Sequence, residues 1–192
     1  MANPSAWVST ARDCPTPAEA KALARDLLFD QGTRWPHVQT AGLVAAGLGQ
    51  LFDASDAGLL VAAATLHDIG YSPRIARIGF HPLDGALFLR AEGYPERLAS
   101  LVAHHSWALL TAPEHGVHDL AEQFPREDSL LADALVYADM HAAPDGQITA
   151  PERRLADIAQ RHQQPIQFAR AEHLRASIQR VTQAVSRMAQ SR

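Results

Sequence analysis

Apolar residues recur at helical spacing along most of the chain, and this pattern predicts one helix after another. Capping and turn residues separate the apolar runs; Thr16, Pro17 and Glu19, for example, form a capping box with proline at the first helical position. The predicted helices cover approximately residues 17–31, 36–52, 56–69, 82–91, 95–105, 129–141, 151–162 and 165–189. No alternating, strand-like run stands out. The sequence therefore predicts an all-α fold, a compact bundle of about seven to eight helices.

The last predicted helix carries an apolar stripe at intervals of four and three residues. The stripe consists of Leu174, Ile178, Val181, Val185 and Met188. We interpret it as a surface that docks on the rest of the chain, so that residues 1–192 form a single domain with a core over about 16–162 and a long C-terminal helix over 165–190. The alternative is a homodimer through this helix, because coiled-coil spacing looks the same over such a length.

Composition and charge narrow the class of protein. A chain of 192 residues with a net charge of −4 and no basic run argues against a nucleic-acid polymer as partner. The most hydrophobic stretch, residues 58–66, is shorter than the ~20 residues of a bilayer span, and the N-terminus lacks the features of a signal peptide, so no membrane partner is expected. Cys14 is the single cysteine, which leaves no disulfide framework and fits a cytoplasmic location.

Seven polar residues stand out because nearly all of them interrupt apolar helical segments. They are His37, His67, Asp68, His81, His104, His105 and Asp139. An imidazole or a carboxylate is costly to bury unless something binds it. Five imidazoles and two carboxylates are enough ligands for two divalent metal ions. Nitrogen and oxygen donors without thiolate favour Fe or Mn, with Zn, Co and Ni as alternatives, so we predict one or two such ions per chain.

Two pairs among these residues stand at predicted helix ends. Neighbouring side chains of a helix point about 100° apart, so His67 and Asp68 can reach one ion only where their helix ends, as it does at Gly70. The pair His104 and His105 repeats that arrangement. The remaining histidines lie in predicted loops or on polar helix surfaces and are interpreted as ordinary; they are His115, His118, His141, His162 and His173.

Residues 65–70 read TLHDIG, which resembles the signature of the HD superfamily of metal-dependent phosphohydrolases, in its HDIG subgroup. The resemblance runs from about His37 to Arg154 and implies a helical HD-domain bundle with His67 and Asp68 at the catalytic centre. It implies a first metal ion with four ligands, which are His37, His67, Asp68 and Asp139. The segments 79–86 and 102–105 resemble those that supply histidines to a second ion, here His81, His104 and His105, with Asp68 bridging the two ions.

Two features separate the chain from family members of the HD-GYP type, which cleave cyclic dinucleotides. Those members carry a lysine directly after HDIG, where this chain has Tyr71. Their GYP motif follows the histidine pair, whereas Gly93, Tyr94 and Pro95 precede it here. We therefore do not predict hydrolysis of a cyclic dinucleotide.

The expected charge of the centre favours a phosphorylated small molecule as substrate. Two divalent ions against two carboxylates leave a positive centre, which suits a phosphate group and a metal-activated water as nucleophile. The first hypothesis is hydrolysis of a phosphomonoester or phosphodiester, nucleotide-like in kind. Arg74 and Arg77 follow the HD pair and are the candidates for binding the phosphate. Asp84 is either an acceptor that orients the His81 imidazole or a surface residue, and we interpret it as a surface residue. The irregular segment 111–128 is interpreted as a lid or rim.

Two other functions fit the same residues. The order of ligands also resembles that of the mixed-valent di-iron oxygenases of the HD superfamily, which bind two irons and activate O₂. The third hypothesis is a metal-stabilised regulatory module with little turnover. The identity of the metal and the dependence of activity on oxygen distinguish the three.

Overall fold

Ten α-helices follow one another in the computed structural model, which describes residues 11–161 and 165–191. They are α1 (Pro17–Leu28), α2 (Arg34–Gly47), α3 (Ala54–Leu66), α4 (His81–Ala91), α5 (Glu96–His104), α6 (Ala108–Thr111), α7 (Leu120–Gln123), α8 (Leu130–Met140), α9 (Pro151–Arg161) and α10 (Pro165–Gln190). In these described ranges the β-structure is an isolated antiparallel bridge between Ala142 and Ile148. The predicted all-α fold is confirmed.

The eight longer helices are those that the apolar pattern predicts, with differences at their ends. Helix α3 begins two residues earlier than predicted, because the Asp53 side chain caps it by accepting a hydrogen bond from the Asp56 backbone N–H at 2.8 Å. It also ends earlier, at Leu66, and a 3₁₀ turn (Ile69–Tyr71) follows. The short helix α7 lies in the segment 111–128 that is predicted to be irregular, and α6 overlaps this segment only at Thr111. The predicted end of the core at residue 162, and His162 itself, lie outside the described residues.

Helices α3 and α8 form the centre of the bundle. Helix α3 is apolar on every side and packs against α1, α2, α5 and α8. Helix α8 faces two apolar clusters, because Leu131 and Leu135 join the main core whereas Val136 and Met140 join a smaller cluster with side chains of α9 and α10. Its remaining buried positions include Asp139. The fold therefore places a carboxylate inside the bundle, where α8 meets α2, α3 and the C-terminal helices.

The apolar stripe of α10 is used within the chain. Leu174 and Val181 are fully buried where α10 packs on α8. Arg180 adds a salt bridge to Asp133 of α8, with 2.6 Å between its Nη2 and the carboxylate Oδ1. These contacts are those of the docked helix that the sequence favours, and a homodimer and a single domain over the whole chain stay predictions. No helix in the described part combines the length and apolarity needed to cross a membrane.

Candidate metal centre

Six of the seven predicted ligands converge on one point in the interior of the bundle. They are His37 of α2, His67 and Asp68 at the end of α3, His81 at the start of α4, His105 directly after α5, and Asp139 of α8. All of them except the partly buried His81 are at most 5% exposed. Polar groups this deeply buried need a charge partner or a ligand.

The first group of donor atoms belongs to His37, His67 and Asp139. The Nε2 atoms of His37 and His67 lie 3.2 Å apart. The Asp139 Oδ1 atom lies 3.1 Å from Nε2 of His37 and 3.7 Å from Nε2 of His67. Donor atoms of one metal ion lie at such separations, and all three of these lie within 4.8 Å of one another. The three helices α2, α3 and α8 thus each supply one ligand atom to a site of ionic size.

A second group surrounds Asp68. The Asp68 Oδ1 atom lies 3.4 Å from Nε2 of His67, 3.4 Å from Nε2 of His81 and 3.7 Å from Nε2 of His105. The Nε2 atoms of His81 and His105 are 3.2 Å apart, and the second carboxylate oxygen of Asp68 is 3.9 Å from Nε2 of His37. Asp68 therefore stands between the two groups, which is where a bridging carboxylate would stand. Its bridging role stays a prediction.

Backbone hydrogen bonds decide which imidazole nitrogen faces the centre. The Nδ1 atoms of His37, His67 and His105 lie 3.1, 2.8 and 2.7 Å from the carbonyl oxygens of residues 142, 64 and 102. Because a carbonyl only accepts, each Nδ1 carries a hydrogen and donates it, and each neutral ring then directs its Nε2 lone pair inward. Lone pairs 3.2 Å apart repel unless a proton or a metal ion lies between them. The donor set therefore fits a divalent transition-metal ion with imidazole and carboxylate ligands.

The protonation states of the centre also suit a cation. Burial lowers the pKa of His105 to about 4 and that of His81 well below its usual range, so both rings are neutral at pH 7. Burial acts to raise the pKa values of Asp68 and Asp139, but hydrogen bonds and charges from the surrounding imidazoles and arginines more than offset it, and both pKa values are lowered. Two carboxylates and two neutral imidazoles are thus ready to bind a metal at neutral pH.

His37 is the exception, and it gives a testable prediction. Burial is the largest single effect and acts to lower its pKa, but the hydrogen bond to Asp139 and the negative charges of Asp139 and Asp68 together outweigh burial. The pKa is therefore raised above its ordinary value of about 6.5. In the metal-free protein this proton therefore stabilises the fold below about pH 6.5, and the stabilisation disappears as the pH rises through the raised pKa. A metal ion must displace the proton. We expect metal binding to release more protons from this site at about pH 6 than at about pH 8.5, because His37 is more fully protonated at the lower pH.

Isothermal titration calorimetry of Mn²⁺ into chelator-treated protein, in buffers with different ionisation enthalpies, measures this proton release directly. The slope of the observed enthalpy against the buffer enthalpy gives the number of protons released. The absence of proton release at the lower pH would contradict the raised pKa of His37.

The end of α3 allows both side chains of the HD pair to reach the same centre, as the sequence predicts. His67 keeps helical backbone angles, whereas Asp68 has left the helix with φ −100° and ψ 7°. This break brings both donor groups to the same centre.

Two glycines then bring α4 close to this turn. A Cβ atom on Gly70 would lie 2.0 Å from the carbonyl oxygen of His81, and a Cβ atom on Gly85 would lie 3.3 Å from the Gly70 backbone nitrogen. Only glycine allows the first turn of α4, with His81, to lie against Asp68.

Asp84 holds the loop between the HD pair and α4 in place. Its Oδ1 accepts hydrogen bonds from the backbone N–H groups of Arg77 and Ile78 at 3.0 and 2.9 Å, and its Oδ2 accepts one from Gly79 at 2.9 Å. The residue is 1% exposed. The interpretation of Asp84 as a surface residue was therefore wrong. Its burial comes from contacts with a loop, and a loop has no helical spacing of apolar residues from which burial could be predicted.

The backbone after α5 separates the two members of the second histidine pair. His105 is extended, with ψ 147°, and Ser106 and Trp107 follow with left-handed φ values of 50° and 58°. This reversal directs His105 to the centre, whereas His104 turns away so that its Nε2 lies 2.7 Å from the carbonyl oxygen of Phe124. The structure therefore does not bring His104 to the centre, and we correct the expected ligand set to the other six residues.

The predicted phosphate-binding arginines lie elsewhere on the surface. The Arg74 side chain bonds the Asp26 carboxylate at 2.8 Å, and the Arg77 side chain is exposed. Neither lines the pocket above the centre. We therefore withdraw both as phosphate-binding residues, because the loop that carries them turns away from the HD pair.

The segment 111–128 also differs from its predicted role. It buries Val117, Leu120 and Phe124 in the main core, and none of its residues lines the pocket above the centre. It is therefore part of the bundle and not a lid or rim of the site.

Three arginines that sequence reasoning missed line this pocket, which has a volume of about 140 Å³. The Arg34 Nη1 atom donates to Oδ2 of Asp68 at 2.9 Å, and the Arg154 Nη2 atom lies 3.4 Å from Oδ1 of Asp139. The third is Arg170 of α10. Arg34 stands one helical turn before His37, and that spacing was a usable signal; no sequence signal pointed to the arginines of α9 and α10.

Ser106 and Tyr71 complete the surroundings of the centre. The Ser106 hydroxyl donates to the Asp139 carboxylate, and the Ser106 carbonyl oxygen accepts from Arg170 Nε at 2.7 Å. The Tyr71 ring stacks on the His81 ring with 3.9 Å between centroids. These contacts fix a ligand carboxylate and a ligand imidazole from the side that faces the pocket.

The protein is a helical bundle with a candidate centre for divalent metal ions. Histidines and aspartates form this centre, which is buried beneath an open pocket. The chain belongs to the HD domain family, whose family model matches residues 34–161. This family consists mostly of metal-dependent phosphohydrolases, and the matched range contains all six converging residues. No curated protein and no solved structure matches the chain. The HDIG subgroup stays a prediction.

Proposed function

We propose that this protein is a metal-dependent phosphohydrolase that cleaves a phosphoester with a metal-activated water. One observation carries the proposal: inward-facing imidazole nitrogens and two ionised carboxylates converge beneath a pocket that arginines line. The cation that these donors require and the anion that the arginines attract are the two components of phosphoester hydrolysis. Fe or Mn is the metal we expect, at one or two ions per chain.

Different residues of the chain have different roles in the proposed reaction. Four imidazoles and two carboxylates would hold the metal, which when bound would supply an activated water near neutral pH and polarise the phosphoryl oxygen. The arginines bind the phosphoryl oxygens and stabilise the negative charge that develops on them. Burial raises the pKa of Tyr71 to about 12, so its hydroxyl stays protonated and is a hydrogen-bond donor at the pocket edge.

The test combines metal analysis with activity assays in the presence and absence of oxygen. Protein purified without chelator is analysed by inductively coupled plasma mass spectrometry. The protein loaded with Mn²⁺ or Fe²⁺ is then incubated anaerobically with p-nitrophenyl phosphate and a panel of phosphate esters. We expect phosphate release that disappears with EDTA and returns when the metal is restored.

The two alternative functions correspond to different outcomes of the same test. Activity that requires O₂, with two irons per chain and a mixed-valence electron paramagnetic resonance signal, would replace the proposal with a di-iron oxygenase. Full metal loading without turnover under either condition would indicate a regulatory module. Either result overturns the hydrolase proposal.

A further inference from the structure

The pocket above the metal centre carries more positive than negative side-chain charge. Among the described residues that line it, three are guanidinium groups and two are carboxylates; they are Arg34, Arg154, Arg170, Asp68 and Asp139. Each divalent ion at the centre would add to this excess. The pocket therefore needs an anion, and an anion with two charges balances it better than one with a single charge.

The Arg154 and Arg170 side chains line the pocket, and one of their N–H donors has no partner among the described residues. The Arg154 Nε is buried and, within the described residues, has no hydrogen-bond partner. Arg170 donates from Nε to the Ser106 carbonyl oxygen at 2.7 Å, which fixes the guanidinium at the pocket wall. An unpartnered buried donor is costly unless a ligand accepts from it, and phosphoryl oxygens are strong acceptors for arginine.

The shape of the pocket limits what else can enter it. Its volume of about 140 Å³ is below the ~300 Å³ at which pockets for drug-sized ligands begin. Both faces of the Tyr71 ring are covered, by the Arg34 guanidinium at 3.8 Å and by the His81 ring at 3.9 Å. The described lining therefore offers no free tyrosine face on which a nucleobase could stack.

We propose that Arg34, Arg154 and Arg170 form a binding site for the dianionic phosphoryl group of a small phosphomonoester, which is recognised by its phosphate and not by a nucleobase. This inference rests on the proposed function and narrows its substrate class from phosphoesters in general. Arg170 belongs to α10, outside the residues 34–161 that match the HD domain. The C-terminal helix thus supplies a substrate-binding residue in addition to packing on the core.

Arg170 is the best residue to substitute, because its contact is with a backbone carbonyl oxygen. Arg34 and Arg154 contact the carboxylates of the metal centre, so their substitution would also affect metal binding. Isothermal titration calorimetry of inorganic phosphate into the metal-loaded protein measures binding without turnover. We expect Arg170→Gln to weaken phosphate binding by about 10-fold or more, as for the loss of a charged hydrogen bond, with unchanged metal content. Arg170→Lys keeps the charge and should lose less.

Exposed arginines on the same two helices supply matched controls. Arg175 of α10 and Arg153 of α9 are exposed and do not line the pocket. Arg175→Gln and Arg153→Gln should change phosphate affinity by less than about twofold, as expected of surface substitutions. Arg154→Gln should also weaken phosphate binding, and its metal content is measured alongside because Arg154 contacts Asp139. If Arg170→Gln and Arg170→Lys, both folded by circular dichroism, bind phosphate as well as the Arg175 control does, the site does not exist.

Two further ligands test the substrate class. Methyl phosphate, a dianion near pH 8, should bind at least about 10-fold more tightly than dimethyl phosphate, which carries one charge. Adenosine monophosphate should bind no more tightly than methyl phosphate. Equal binding of the two methyl esters would overturn the assignment to a monoester, and a clear gain from the nucleoside would overturn recognition by phosphate alone.

These outcomes are separable from those for the proposed function. Arginine-dependent phosphate binding by a protein that hydrolyses no ester would refute the hydrolase and leave the anion site standing. Hydrolysis that does not depend on Arg154 or Arg170 would refute the anion site and leave the hydrolase standing.

Discussion

Replacing Asp68 by asparagine is expected to remove both metal ions from the centre. The Asp68 Oδ1 atom lies within 3.7 Å of Nε2 of His67, His81 and His105, so both groups of donor atoms depend on this carboxylate. Asparagine preserves the size of the side chain and removes its charge. We expect the affinity for both ions to fall by more than about 100-fold, beyond the loss usual for an outer-shell partner. Phosphoester hydrolysis should fall by at least about 1,000-fold, because several kcal/mol of metal catalysis is lost.

Two histidine variants distinguish this result from general damage to the site. His81→Ala removes a donor from the group around Asp68 and should cost one of the two ions. His104→Ala should keep the metal content unchanged, because the His104 Nε2 atom is hydrogen-bonded to the Phe124 carbonyl oxygen. Metal stoichiometry by mass spectrometry, with circular dichroism as the check on folding, separates the cases. Equal metal loss from Asp68→Asn and His81→Ala would contradict a bridging carboxylate between two ions.

The second large effect is expected from a single methyl group at Gly70. A Cβ atom there would lie 2.0 Å from the His81 carbonyl oxygen and 2.8 Å from the Gly85 backbone nitrogen, and backbone cannot move aside as a flexible side chain can. Helix α4 would have to shift away from the turn after α3, which takes His81 away from Asp68. We expect Gly70→Ala to lower the free energy of unfolding by about 3 kcal/mol, the upper end for overpacking. One metal ion should be lost with it.

Gly58 provides the control, because it lies inside α3 with no heavy atom within 4 Å of a Cβ atom added there. Gly58→Ala should raise the free energy of unfolding by about 0.5–1 kcal/mol, since alanine loses less backbone entropy in a helix. Urea denaturation of both variants measures the two changes. A Gly70→Ala protein as stable as the wild type would show that α4 does not depend on this close approach.

The two histidine pairs show how far sequence reasoning reached. The sequence places the end of α3 at Gly70. The helix ends earlier, at Leu66, but the structure brings His67 and Asp68 to one centre as predicted. The same reasoning at His104 and His105 grouped two residues that the chain separates. The difference lies in the backbone from His105 onward, which is extended at His105 with ψ 147° and left-handed at Ser106 and Trp107. No glycine marks this turn in the sequence.

The arginines of the pocket could not be predicted from their positions in the sequence. Arg74 and Arg77 were chosen because they follow the HD pair in sequence, but Arg74 bonds Asp26 and the Arg77 side chain is exposed. The arginines that line the pocket come from α2, α9 and α10, which are distant in sequence from the HD pair. Proximity in sequence was a poor guide here, because a loop between helices can turn away from the site that its flanking residues build.

The sequence by itself determined the helices and the chemical types of the metal-binding groups, which are imidazoles and carboxylates. Apolar spacing sets which face of each helix is buried, and a histidine or aspartate on such a face must find a partner there, whatever the arrangement of the helices. Only the tertiary structure shows which donor atoms lie close together, which arginines line the pocket beside them and which residues hold the loops in place. Those results depend on where separate helices cross and on a few backbone angles between them, such as the turn at Ser106 and the contact of Gly70 with α4.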